Sequence, residues 1–206
     1  MTEHYFTTPT GAEQRREIPA RIWGRDYTFT SAAGVFSGTR LDPGTAVLFD
    51  KTAPLLKGLD PTPAHPRTLL DLGCGYGPIA VALATERPSA QVYAVDVNER
   101  ALELARINAA AAAVAERVHV STPDSVPPAA TFDEIWSNPP IRIGKQALHE
   151  LLLTWLPRLN PTGTAYLVVG KNLGADSLQN WLIEQGYPTD RLGSAKGFRV
   201  LVVKRR

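Results

Sequence analysis

A single cysteine, Cys74, rules out an internal disulfide, and the four histidines (His4, His65, His119, His149) are scattered without metal-ligand spacing, so no metal site is expected. Also missing is any apolar run close to the roughly 20 residues that cross a bilayer, so no membrane partner is expected. The amino terminus, MTEHYFTTPT, lacks a basic stretch followed by an apolar one, and a cytoplasmic protein is expected. Neither sign of charge dominates: 22 Lys and Arg stand against 20 Asp and Glu, a net of +2. That balance permits a nucleic-acid partner, given the basic runs Arg15-Arg16 and Lys204-Arg205-Arg206, without requiring one. What is present, 206 residues of which 44% are hydrophobic and 20% charged, suits one compact domain rather than a disordered or fibrous chain. Composition leaves the oligomeric state open.

The first 60 residues read as a short β/α preface. Ile22-Trp23 and Tyr27-Thr28-Phe29 are β-prone runs flanking a turn at Gly24-Arg25-Asp26, and Asp42-Pro43-Gly44-Thr45 opens a helix with proline in its first turn. Residues 59–66, with three prolines, predict an extended linker to a core spanning 61–206, the whole packing as a single domain. From Arg67 strands and helices alternate: strands at Thr68–Leu70, Gln91–Val95, Val118–Val120, Phe132–Trp136 and Thr164–Val169, helices over 78–86, 99–113, 145–156 and 175–185. Such alternation predicts an α/β, Rossmann-like sheet of seven mostly parallel strands with helices on both faces. Two final β-like runs with no helix between them make the last strand, Phe198–Val203, antiparallel.

Directly after the first core strand comes Asp71-Leu72-Gly73-Cys74-Gly75-Tyr76-Gly77, a glycine-rich turn into a helix. Glycines there let backbone approach a ligand closely. Asp96 ends the next strand about 25 residues on, where ribose hydroxyls are bonded in dinucleotide folds. A nicotinamide enzyme uses similar geometry, but its fingerprint is G-x-G-x-x-G with room for a pyrophosphate at the helix amino terminus. Here an acid precedes the glycines. Asp71 would repel a pyrophosphate and favour a cationic group.

DLGCGYGPIA followed by VYAVDVNERALELARINA resembles the first two motifs of class I S-adenosylmethionine-dependent methyltransferases. The resemblance implies S-adenosyl-L-methionine as cofactor, with Asp71, Gly73, Cys74, Gly75 and Gly77 against its aminoacyl end and Asp96 with Val97 at its ribose. Asp124 and Ser125 fall where the family meets the adenine ring, though the run Thr122-Pro123-Asp124-Ser125 also reads as a solvated turn. Ser137-Asn138-Pro139-Pro140-Ile141 closes the fourth core strand and resembles the family's amino-methylating motif, at the junction of cofactor and acceptor. An exocyclic amine conjugated to a ring is a poor nucleophile because its lone pair is delocalised. The Asn138 side-chain oxygen and the Pro139 carbonyl can each accept one N–H, and Pro139 and Pro140 add no donors of their own.

The wider resemblance is to small-domain methyltransferases typified by bacterial ribosomal RNA guanine-N2 methyltransferases. It extends over Ala33-Gly34-Val35-Phe36-Ser37, Leu41-Asp42-Pro43-Gly44-Thr45 and Lys196-Gly197-Phe198-Arg199-Val200. It implies a guanine amine of ribosomal RNA, free or in a ribosomal subunit, as substrate. Two departures stand out: 206 residues leave no room for the second, degenerate domain of such enzymes, and the aromatic usual after Asn-Pro-Pro is Ile141. Phe36 is then a candidate for stacking on the base, and Arg142 and Lys145 for meeting phosphate. A glutamine side-chain amide of a protein, a small-molecule amine, and a non-catalytic RNA-binding domain are the alternatives.

Overall fold

The computed structural model describes residues 15–37, 39–56, 66–139 and 144–206. Strands β1 (Arg15–Ile22) and β2 (Arg25–Ala32) pair antiparallel as a separate hairpin. Its turn is Trp23-Gly24, at φ 49° and 88°, the two positive values that a two-residue hairpin turn needs to match strand twist. Arg25 and Asp26, read from the sequence as turn, are strand residues opposite Ile22 and Arg21. Glycine adopts positive φ freely, whereas Trp23 is held there by tertiary contacts. Its Nε1 donates to the Phe49 carbonyl at 2.8 Å, and its ring meets Phe49 and Trp136 edge-on.

Helix α1 (Pro43–Thr52) is capped by Asp42, whose carboxylate accepts the Thr45 N–H, with Pro43 in the first turn as expected. The expected linker falls almost wholly on residues 57–65, outside the described residues. The core then runs β3 (Thr68–Leu72), α2 (Pro78–Glu86), β4 (Gln91–Val95), α3 (Glu99–Ala111), β5 (Val118–Ser121) and β6 (Phe132–Ser137). It continues through α4 (Lys145–Trp155), β7 (Leu159–Gly170), α5 (Ala175–Glu184), β8 (Thr189–Ala195) and β9 (Phe198–Lys204). Helix α3 stops short of the expected Ala113, which turns out of it at φ 56°.

The sheet has seven strands in the order β5-β4-β3-β6-β7-β9-β8. All run parallel except β9, which is antiparallel to both β7 and β8, so the fold is the one the alternation predicts. Neighbouring residues of a strand point to opposite faces, and the two cores follow from it. Leu69, Val92, Trp136 and Val200 pack under α1, α2, α3 and the hairpin, while Leu70, Val95, Ile135 and Leu201 pack under α4 and α5. The hairpin contributes Ile18, Ile22 and Phe29, all buried. Asn108 of α3 pins it down, accepting the Thr30 N–H at 2.7 Å and donating to the Thr30 and Tyr76 carbonyls at 2.8 Å.

In the amino-terminal half of the strands lies a buried charge network. The buried Glu134 of β6 receives Arg67 at 2.9 Å, Arg87 at 2.5 Å and the Trp136 indole N–H at 2.7 Å. At the other end, strand order reverses between β3 and β6, leaving the crevice where ligands bind in open α/β sheets.

Candidate active site

A cavity of ≈ 260 Å³ opens above that crevice. Its floor is the ends of β3, β4 and β6. Gly73 and Cys74 donate their N–H groups to the Val95 carbonyl at 2.8 and 3.0 Å, which draws the glycine turn onto the end of β4. Asp96 closes the arrangement from the other side, accepting the Gly75 N–H through Oδ2 and the Asn98 N–H through Oδ1, both at 2.9 Å. Burial holds this carboxyl above its ordinary range, opposed by those backbone donors.

The structure brings Gly73, Gly75, Asp96, Val97, Asn138, Pro139 and Phe36 together on the cavity wall. It puts other predicted residues elsewhere. Asp71 is fully buried behind the turn, where Oδ2 accepts the Ala80 N–H at 2.9 Å. That bond substitutes for a cap on α2, whose own N-cap, Gly77, has no side chain to offer. Asp71 Oδ1 has no partner, and burial, with Asp96 adding to it, pushes the carboxyl up to about 8. Gly77 serves packing: at φ 85°, a Cβ there would come within 3.1 Å of Ala105. Cys74 is buried, and burial raises its thiol pKa well above the usual range. Asp124 and Ser125 sit exposed in a single 3-10 turn of which only Pro123 lines the cavity among the described residues. Lys145 is exposed at the start of α4, off the described wall. Pro140, Ile141 and Arg142 lie outside the described residues.

Several wall residues were not singled out from the sequence. Asp42, from the α1 cap, and Phe198, from the start of β9, flank Asn138 and Pro139, with Leu151, Gly170 and Leu173 nearby. Nothing local marks them, because they come from four separate segments; the resembling runs around Asp42 and Phe198 were the available signal. Asn98 joins Asp96 on the wall and donates through Nδ2 to the Gly34 carbonyl at 3.1 Å, tying the Phe36 segment to the β4 end.

The charge of this wall discriminates between ligands. Among the described lining residues only Asp42 and Asp96 carry charge, both negative. A pyrophosphate would be repelled by such a site, whereas a ligand bearing ammonium and sulfonium charges is matched by it. Gly75, at φ 56° with nothing within 4 Å of a would-be Cβ, leaves open space beside the turn for close approach. S-adenosylmethionine fits these residues on both counts.

Comparison with known proteins agrees. The Bacillus subtilis protein YbxB is 33% identical over 210 residues and aligns over 100% of both chains. Ribosomal RNA small subunit methyltransferase C of Shewanella loihica is 33% identical over 144 residues, which are 66% of this chain and 39% of that one. A T. thermophilus structure, the 16S rRNA N2 G1207 methyltransferase RsmC in complex with AdoMet and guanosine, superposes with a TM-score of 0.79 at 27% identity. It is matched over 96% of this chain and 52% of its own. The chain therefore spans only about half, or less, of these ribosomal RNA methyltransferases. No helix of the described residues is long and apolar enough to cross a membrane. With residues 26–202 matching it, the chain belongs to the methyltransferase small domain family of S-adenosylmethionine-dependent methyltransferases.

Proposed function

We propose that this chain methylates the exocyclic N2 amine of a guanine in ribosomal RNA, with Asn138 and Pro139 receiving the amine. The observation that carries this reading is the juxtaposition of Asn138 and Pro139 with Asp96 and the glycine turn around one cavity. The likeness to RsmC, a 16S rRNA N2 G1207 methyltransferase in complex with guanosine, supports the choice of base.

Bound S-adenosylmethionine supplies a methyl group on a positively charged sulfur, already activated for attack. Asp96 would offer its remaining lone pairs to the ribose hydroxyls, and the backbone at Gly73 and Gly75 would hold the aminoacyl end. Asn138 Oδ1 and the Pro139 carbonyl accept the two amine hydrogens, which turns the nitrogen lone pair out of conjugation and toward the methyl donor. With the cofactor bound, its S–C bond would break as the N–C bond formed, the electron pair returning to sulfur as a neutral thioether, and the cationic amine would then lose its proton to water, so no strong base is required. Holding the amine in line contributes through proximity and orientation.

Phe198, rather than Phe36, is the ring we assign to stack on the guanine. It packs on Gly44 beside Asp42, within 2.9 Å of where a Gly44 Cβ would stand, and so belongs to the Asn138 end of the cavity. Phe36 is tied through Gly34 to Asn98 at the Asp96 end. The reading is tested by mass mapping of ribosomal RNA from cells with and without the gene. One N2-methylguanosine should vanish on deletion and return on complementation; unchanged ribosomal RNA, or a lost methyl on another atom, contradicts it.

A further inference from the structure

The Asn138 side chain has one acceptor and two N–H donors, and only the acceptor can serve an incoming amine. An asparagine free to rotate about its terminal bond would spend part of its time presenting the wrong end. In this structure it is not free. Nδ2 donates to Asp42 Oδ1 at 2.7 Å and to Thr45 Oγ1 at 3.1 Å. An ionised carboxylate has no hydrogen to give, so a flipped amide would set oxygen against oxygen in a partly buried site.

We propose that Asp42 is a positioning residue for methyl transfer, fixing Asn138 so that its Oδ1 faces the cavity and strengthening that oxygen as an acceptor. The proposal rests on the reading of Asn138 as the amine acceptor. Asp42 is itself held firmly: the same Oδ1 caps α1 by accepting the Thr45 N–H at 3.0 Å, and Pro43 fixes the first turn. Gly44 leaves room for the arrangement, since a Cβ there would stand 2.9 Å from both Asp42 Oδ1 and the Phe198 ring. Helix α1 packs on β7, β8 and β9, so its cap is braced by the sheet. A negative charge pulling on the amide hydrogens shifts electron density to Oδ1, since linked hydrogen bonds strengthen one another. The preface thereby acts on a residue 96 positions away in the chain.

Two substitutions separate this role from capping alone. Asp42→Ser keeps an N-cap acceptor but is too short to reach Asn138, whereas Asp42→Asn, its oxygen held by the Thr45 N–H, retains an acceptor for both bonds and exchanges the charge and the other oxygen for an NH2 group. The assay is transfer of labelled methyl from S-adenosylmethionine to ribosomal RNA from gene-deleted cells, with cofactor affinity by calorimetry and folding by thermal unfolding. Asp42→Ser should unfold like the parent and bind RNA within about three-fold; measured at saturating cofactor, so that any affinity lost with the wall charge is set aside, it should lose on the order of 30-fold in kcat. Asp42→Asn should recover most of that loss. In an Asn138→Ala background, Asp42→Ser should cost nothing further, because a residue acting through another has no effect once the other is gone.

A readout independent of turnover is the 15N side-chain amide signal of Asn138, identified by its loss in Asn138→Ala. It should be shifted and protected from solvent exchange in the parent and in Asp42→Asn, and resemble a free amide in Asp42→Ser. Parental kcat in Asp42→Ser, additive losses in the double variant, or an unchanged amide signal would each overturn the proposal. An Asn138→Ala variant that transfers at the parental rate would instead overturn the reading of Asn138 on which it rests.

Discussion

The two ends of the sheet treat buried charge in opposite ways. In the amino-terminal half, Glu134 meets two guanidinium groups and an indole N–H, and both its oxygens are paired with charge. At the carboxyl ends, Asp42, Asp71 and Asp96 meet backbone N–H groups and one amide, with no cation among the described residues. One Asp71 oxygen meets nothing at all. Polar groups are normally satisfied when buried because leaving them unpaired costs about 1–3 kcal/mol each. Two wall acids with no cation beside them among the described residues, Asp42 and Asp96, therefore leave negative charge for a cationic ligand to meet, while Glu134 is already paired. The paired acid serves the fold, and the acidic wall is where we place the site.

This contrast can be broken from either side. The largest effect expected is at the balanced end: Glu134→Ala strands Arg87 in the core and should destabilise the fold by about 3–5 kcal/mol, the range for breaking a buried pair. Denaturant unfolding measures it, and cofactor affinity per folded molecule should be unchanged. At the other end, Asp96→Ala should weaken S-adenosylmethionine binding by about 1–3 kcal/mol in calorimetry. Because Asp96 also clamps Gly75 and Asn98, Asp96→Asn separates the two contributions: it keeps one oxygen for the Asn98 N–H but turns a donor toward Gly75.

A third effect is one of pH. Asp71 is raised from 3.8 to about 8, so the folded state holds a proton that the unfolded state has released across that window. Stability should then fall as pH climbs through it, the burial cost being complete above the raised value. Asp71→Asn should flatten this slope while keeping an acceptor for the α2 amino terminus. Thermal unfolding between pH 5 and 9 reads it, and a slope as steep in the variant as in the parent would assign it to other groups.

Much of the fold was legible in the sequence because buried parallel strands and their crossover helices alternate in a way few folds share. The glycine turn and Asp96 were legible because their spacing follows from a strand, a helix and a strand in succession. Three features were not. Trp23 at positive φ carries no local turn signal; its ring contacts with Phe49 and Trp136 decide it. Asp71 reads as a ligand acid by position, but the missing cap on α2 draws it behind the turn. The Asp42–Asn138 bond joins residues 96 apart, and no periodicity encodes such a pairing. Phe36 and Phe198 show the same limit, since both lie within resembling runs and it is packing on Gly44 that puts Phe198 beside Asp42.

The central claim is that Asn138 works on the acceptor and not on the cofactor, and single-turnover transfer from S-adenosylmethionine to ribosomal RNA of gene-deleted cells tests it most directly. Asn138→Ala should bind the cofactor within a few-fold of the parent yet transfer methyl on the order of 100-fold more slowly, the loss typical of deleting a positioned transition-state hydrogen bond. The product of the parent enzyme should be N2-methylguanosine. Transfer at the parental rate by the variant, with normal cofactor affinity, would contradict the account and reduce Asn138-Pro139 to a turn at the end of β6.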